Sequence, residues 1–302
     1  ELAHITPVIR DNLRQYEDKD DIDTRQRAKM LNEISPLPLS YVDKSMTSPR
    51  LYSEQADNLF ACRKDMRLAA LKGLGAVDVD MKSCHTYILL AKWPQQLPLL
   101  KEAMETETLW DMYKAHYEAE GYPFHKKAVK AMHYASVLGG GKEAFNQAIH
   151  RHNLDNPNEY ITNPDELIKV HRKSPIYKEL KKLLSHIEKE WHGKELELST
   201  GEKFRIKGIR RSKDKDTGEV TTHYGNLLTA LSAFLQSKEV LLMSYLILKT
   251  RGLYTPLLFQ HDGLTIIPRD RQYLTQMQQV MDEGCQRLLD SDIRIPLEVF
   301  HQ

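Results

Sequence analysis

Residues 77–91 change their hydrophobic period part-way along. Val77-Asp78-Val79-Asp80-Met81 alternates apolar and acidic positions as a half-buried strand does, and Thr86-Tyr87-Ile88-Leu89-Leu90-Ala91 has the spacing of a helix. The pattern predicts a strand that ends near Asp80 and feeds a helix, with the Asp80 carboxylate facing a cleft. Farther on, Leu257-Leu258-Phe259-Gln260-His261-Asp262-Gly263-Leu264-Thr265-Ile266-Ile267 sets Asp262 between two short apolar runs. This predicts a strand, a tight turn and a returning strand. Helical spacing covers 86–118 with breaks at Pro94 and Pro98, then 126–138, where Gly139-Gly140-Gly141 ends the run. Residues 142–192 are charged and mainly helical, with turns at Asn156-Pro157-Asn158 and Asn163-Pro164-Asp165.

Residues 195–209 alternate about a Thr200-Gly201 turn and predict a hairpin, and the basic run Arg210-Arg211-Ser212-Lys213-Asp214-Lys215 that follows it reads as a mobile, solvated loop, with a contact to a phosphate backbone as the alternative. Residues 226–248 predict a long apolar helix whose polar positions are Ser232, Gln236 and Glu239, and 271–289 an amphipathic helix covering the sheet. At the other end, residues 1–45 read as a helix and a connection marked by Ser35-Pro36-Leu37-Pro38-Leu39, and 47–53 as a loop. No internal repeat is visible.

Composition narrows the function classes. A chain of 302 residues can bury a sizeable core in one large or two joined domains. Its 43 basic and 42 acidic residues leave a net charge of +1, so no global field announces a nucleic-acid partner and local clusters must carry that case. Cys62, Cys84 and Cys285 show no metal or disulfide spacing, which points away from zinc and towards a reducing compartment. No apolar run approaches the roughly 20 residues that span a bilayer, and Glu1-Leu2-Ala3-His4 does not open a signal peptide. The expectation is a cytoplasmic protein with no membrane partner, and the absence of an initial Met reads as a fragment or processed domain.

Two strands that each deliver an aspartate can meet at a shared site. Meeting within about 4 Å of that site, such carboxylates hold two divalent cations that clamp the attacking and leaving oxygens of phosphoryl transfer. Mg2+ suits them because it prefers hard oxygen ligands and keeps much of its water. Taken singly, each Asp reads as a turn or cap residue. Lys126, Lys130 and Tyr134 fall at i, i+4 and i+8 on one helix face. That stripe can grip a triphosphate and stack on a base or sugar, or it can be a solvated basic face with Tyr134 half-buried.

In order, these pieces resemble the polymerase domain of family A DNA polymerases and their single-subunit RNA polymerase relatives. Asp80, with His85 five residues later, is similar to the family's first metal motif and its sugar-gating position. Lys126-x3-Lys130-x3-Tyr134-x3-Leu138-Gly139 is similar to the fingers-helix motif, and His261-Asp262-Gly263 to the His-Asp motif between two strands. Ser48-Pro49-Arg50-Leu51-Tyr52-Ser53 looks like the Thr-Gly-Arg-Leu-Ser-Ser segment before the first motif. Arg67 falls where the family carries another Arg, and Ser232-x3-Gln236 matches an Asn-x3-Gln helix. The likeness covers residues 45–300 or so.

The resemblance implies an α+β fold, a right-hand palm with an antiparallel sheet and helical fingers, the thumb reduced or absent. It implies an N-terminal helical segment at 1–45 (thumb remnant or linker), palm at 46–118, fingers with an insertion and hairpin at 119–225, and the second part of the palm at 226–302. Asp80, Asp262 and the Met81 carbonyl would bind two Mg2+, with Mn2+ as a substitute. Lys130 would hold the nucleotide's phosphates, Lys126 the outer ones, and Tyr134 would face sugar and base. Arg50, Arg67, Ser232, Gln236 and His261 would hold the primer and template. The expected partners are a DNA primer–template, nucleoside triphosphates and further replication domains or proteins, in a virus, plasmid or organelle replicon. His85 stands where the DNA enzymes carry Glu and the RNA enzymes Gly, and Leu138 replaces the usual Tyr, so sugar choice stays open. Gly263 replaces an acid often found after the His-Asp pair. Three readings follow: a DNA polymerase using dNTPs, a primase or RNA polymerase using rNTPs, and an inactive nucleic-acid-binding scaffold.

Overall fold

The computed structural model describes residues 2–17, 26, 41–45, 48–53, 59, 62, 64–199, 201–207, 210–213, 220–223, 225–260 and 263–301. In chain order the elements are α1 (Leu2–Leu13), β1 (Tyr41–Ser45), β2 (Ser48–Ser53), α2 (Lys64–Leu71), β3 (Val77–Met81) and α3 (Cys84–Lys92). Then come α4 (Pro98–Glu105), α5 (Leu109–Ala119), α6 (Lys126–Val137), α7 (Lys142–Asp155), α8 (Pro164–Lys173) and α9 (Pro175–Trp191). The chain closes with β4 (Glu195–Glu197), β5 (Lys203–Arg205), β6 (Arg210–Lys213), β7 (Val220–His223), α10 (Leu227–Thr250), β8 (Tyr254–Gln260), β9 (Gly263–Pro268), α11 (Tyr273–Leu289) and β10 (Leu297–His301). Two compact units result, residues 1–84 with 236–302, and residues 85–235.

The first unit is built on a four-stranded sheet in the order β10-β3-β9-β8, antiparallel throughout. Every strand is joined to its neighbour by distant or hairpin pairing, so β3, from early in the chain, sits between β9 and β10 from its end. Ile9 and Leu13 of α1 and Met66, Ala70 and Leu71 of α2 form one buried cluster with Leu257 and Leu258 of β8. Asn12 fastens α1 to the end of α2, its Nδ2 donating to Ala70 O at 3.0 Å and Lys72 O at 2.9 Å, where orphan carbonyls need donors. Gln278 does the same for α11 and β10, accepting from Leu297 N at 2.8 Å and donating to Ile295 O at 3.0 Å.

The second unit is helical apart from its hairpins. Proline sets the breaks: α8 and α9 each open with Pro at the first helical position behind a capping side chain, Asn163 Oδ1 accepting from Glu166 N and Ser174 Oγ from Tyr177 N. The end of α6 is a Schellman turn, with Gly139 N donating to Ser136 O and Gly140 N to Ala135 O. Gly139 has φ +78°, a conformation that favours glycine, and a Cβ there would lie 2.5 Å from Leu228 Cδ2, which would have to shift. Inside, Tyr113 OH pairs with His133 Nδ1 at 3.1 Å, and Tyr117 OH with His171 Nδ1 at 3.2 Å.

Two segments read as loops in the sequence are strands. Residues 48–53 pair with 41–45, and Arg210–Lys213 pairs with Val220–His223. Each gains a partner rich in β-branched or aromatic residues, Tyr41-Val42 and Val220-Thr221-Thr222, and that pairing outweighs Pro49 and the basic charge. By length and composition α10, 24 residues, is apolar enough to cross a membrane. Polar residues interrupt it, and Ser237 and Glu239 among them are 1% and 0% exposed, as in a helix of a protein core.

Candidate active site

Burial alternates along β3. Val77, Val79 and Met81 are buried on one face, and Asp78 and Asp80 stand half-buried on the other. A one-residue slip would bury both acids, so the apolar face fixes which side the carboxylates occupy. The neighbouring strands supply their surroundings: Asp78 faces Thr265 and Asp80 faces Gly263 on β9, while Glu298 on β10 faces Asp80. Thr265, fully buried, donates Oγ1 to Asp78 Oδ1 at 2.5 Å, which ties Asp78 into the sheet. Asp80 therefore has a position without a side chain on one flank and a second carboxylate on the other. Opposed acids on adjacent strands repel, and Lys82 Nζ, 3.4 Å from Glu298 Oε1, offsets part of that.

β8 and β9 pair as far as Gln260 and Gly263. His261 and Asp262, which follow Gln260 in the sequence, lie outside the described residues. The register nonetheless brings Asp80 opposite Gly263, the chain successor of Asp262. Met81 is in register with Leu297 and its side chain is 1% exposed, so a ligand role there falls to the carbonyl. Past Met81 the chain turns hard. Lys82 N still donates to Pro296 O at 2.9 Å, Ser83 adopts φ +48°, and α3 begins at Cys84.

In the second unit, α6 buries Ala128, Val129, Met132, His133, Ser136 and Val137 and turns Lys126 and Lys130 to solvent. Lys130 Nζ lies 5.8 Å from the ring centroid of half-buried Tyr134, a cation–π contact one turn on. Among the described residues neither ammonium has an ion-pair partner. Leu138 is the half-buried cap of the same helix, and His85 lies in the first turn of α3.

Arg50 is in β2, and half-buried Arg67, on α2, reaches Cys62 O through Nη1 at 3.4 Å. Ser232 and Gln236 are one turn apart on α10, both half-buried. Asp80, Met81, Arg50, Arg67 and Gln236 belong to the first unit, and His85, Lys126, Lys130, Tyr134, Leu138 and Ser232 to the second. Sequence reasoning missed Glu298. The alternation of Leu297-Glu298-Val299 marks a strand, but only the register reveals that it adjoins Asp80. It also missed a grouping of His125, His152 and Glu159.

No family model matches the chain, and no curated protein matches it. Solved structures do. The POL domain of Pol1 from M. smegmatis, solved in complex with DNA primer-template and dNTP, is similar with a TM-score of 0.58 over 91% of this chain, at 14% identity. The chain spans 51% of that structure, about half its length. At this identity the likeness speaks to architecture: a helix-rich chain with a small antiparallel sheet and the fold of a DNA polymerase domain in a divergent sequence.

Proposed function

We propose that the chain is a template-directed nucleotidyltransferase, a DNA polymerase that extends a primer 3′-hydroxyl with dNTPs and releases pyrophosphate. The observation that carries this reading is Asp80, half-buried at the end of a central strand and in register with Gly263, the successor of Asp262, within a polymerase-domain fold. The oxygen donors fit magnesium: the position opposite Asp80 holds no side chain, and Glu298 adds a further acid beside it. In this reading Asp80, Asp262 and the Met81 carbonyl hold two Mg2+, which when bound neutralise charge developing on the transferred phosphoryl group.

The chain's own residues do the rest. Lys130 and Lys126 bind the triphosphate and offset the charge gathering on the departing pyrophosphate. Tyr134 orients sugar and base, while Arg50, Arg67, Ser232, Gln236 and His261 hold the primer and template. A second reading, a primase or RNA polymerase using rNTPs, is favoured by His85 and Leu138 at the sugar-facing positions. An imidazole crowds a 2′-hydroxyl less decisively than a paired Glu and Tyr, and can hydrogen-bond to it.

Extension of a labelled primer on a DNA template, with Mg2+ and either nucleotide set, tests both readings. The first predicts dNTP-dependent, template-directed elongation. Elongation only with rNTPs supports the second, and His85→Glu then moves the preference towards dNTPs. No incorporation of either set contradicts both and leaves an inactive scaffold.

A further inference from the structure

His125, His152 and Glu159 each offer a ligand atom within 4.8 Å of the others, in the second unit and apart from Asp80. Three elements deliver them. His125 precedes α6 and makes no capping hydrogen bond, so its ring is not committed to the helix. His152 lies in the last turn of α7 and is 4% exposed, and Glu159 ends the 3-10 turn Pro157–Glu159 with its side chain in solvent. The two imidazoles meet edge-on, 5.9 Å between centroids at 65°, rather than stacked, so their nitrogens can converge on one point.

We infer that these three residues form a zinc-class site that fastens the start of α6 to the end of α7. Two imidazoles and one carboxylate are a donor set that zinc takes with a water in the fourth position, whereas Mg2+ disfavours nitrogen. Tetrahedral zinc at about 2.0–2.1 Å from each donor needs donors about 3.3 Å apart. Closing from at most 4.8 Å thus takes shifts of up to about 1.5 Å, shared between the half-buried His125 ring and the exposed Glu159 side chain. The surrounding contacts are of the kind that orient metal-bound histidines. His152 Nε2 lies 3.1 Å from Glu159 O, and donating there leaves Nδ1 with its lone pair. Nδ1 is met only at 3.5 Å by Asn156 Nδ2, which also donates to His152 O at 3.0 Å and keeps that bond if Nδ1 is taken. His152 also lines, with Asp155 and Asn156, an open cavity of about 410 Å³ between α6 and α7, and Glu159 reaches solvent.

The site is independent of the polymerase reading, and its test uses no activity. The metal-freed chain is titrated with ZnCl2 in a buffer containing MgCl2, followed by calorimetry and thermal melting. One equivalent binds, and at a hundredfold excess over Kd the melting temperature rises by about 5–10 °C. Because His152 is buried and its removal could unfold the unit, the variants are His125→Ala and Glu159→Gln. Each weakens binding by about tenfold or more. The zinc absorption-edge spectrum shows only nitrogen and oxygen neighbours near 2.0–2.1 Å, where thiolate ligation would add sulfur near 2.3 Å. No saturable binding, binding unchanged in both variants, or a sulfur shell overturns the assignment.

Discussion

Ser83, at the exit of β3, holds φ +48°, a left-handed conformation that costs an L-residue about 1–2 kcal/mol. It allows the chain to pass from the strand bearing Asp80 into α3 within two residues. Ser83→Gly is therefore expected to raise the melting temperature by about 2–4 °C, and Ser83→Val to lower it. The buried histidines make a second residue-scale case. Burial pushes the His133 imidazole down to about 3, and burial with the fields of His133, His116 and Arg172 does the same to His171. Both folded values lie below the unfolded one near 6.5, so their contribution is intact above pH 6.5 and is lost as pH falls towards 3. His133→Phe removes one of the hydrogen-bond partners of Tyr113 OH, Ser174 being another, and melts lower at pH 7.5. Between pH 6.5 and 4 it loses less stability than the parent, and melting curves across that range check the difference.

Among elements, α4 shows what a sequence conceals. Its cap residue Leu97 has no side-chain acceptor, yet Leu99 N and Leu100 N donate to the two oxygens of Glu179 on α9, at 2.9 and 3.0 Å. A carboxylate here satisfies orphan donors and complements the helix dipole. Glu179→Ala should cost about 1.5–3 kcal/mol in urea denaturation, and an unchanged midpoint would contradict the capping role. Most helix limits were legible, because Pro94, Pro98, Pro164 and Gly139 mark starts and stops, but the break at Ser174-Pro175 that separates α8 from α9 was not read from the sequence. The hairpin at 195–205 was legible for the same reason, a Gly between alternating runs. β1–β2 and β6–β7 were not, since Pro49 and the Arg210-Arg211 charges mask a strand whose partner supplies the propensity. The carboxylate that caps α4 lies on a helix five elements away, where no local pattern points to it.

For the whole molecule, the composition gave no hint of a nucleic-acid partner, and with a net charge of +1 any such binding must come from local stripes such as Lys126 and Lys130. Primer–template affinity is accordingly expected to fall log-linearly with salt, at about −0.7 to −0.9 per phosphate contact, and a flat dependence measured by fluorescence anisotropy would speak against nucleic acid. Of the candidate site, the strand carrying Asp80 and the exposed face of α6 could be read from periodicity alone. The flanks of Asp80 could not, because Gly263 and Glu298 reach it from the far end of the chain through sheet order, and sheet order is a property of the folded whole. Along the chain the division between the two units passes between Cys84 and His85 and between Leu235 and Gln236, so in α10 it separates Ser232 from Gln236.

Asp80 and Asp262 are proposed to act together as the acids of a nucleotidyltransferase. The most direct measurement is primer extension by Asp80→Asn and Asp262→Asn beside the parent, with primer–template binding measured on the same preparations. Each substitution is expected to lower incorporation by about 10³-fold or more while binding changes less than about threefold. Incorporation at the parent's rate in either variant would contradict that role.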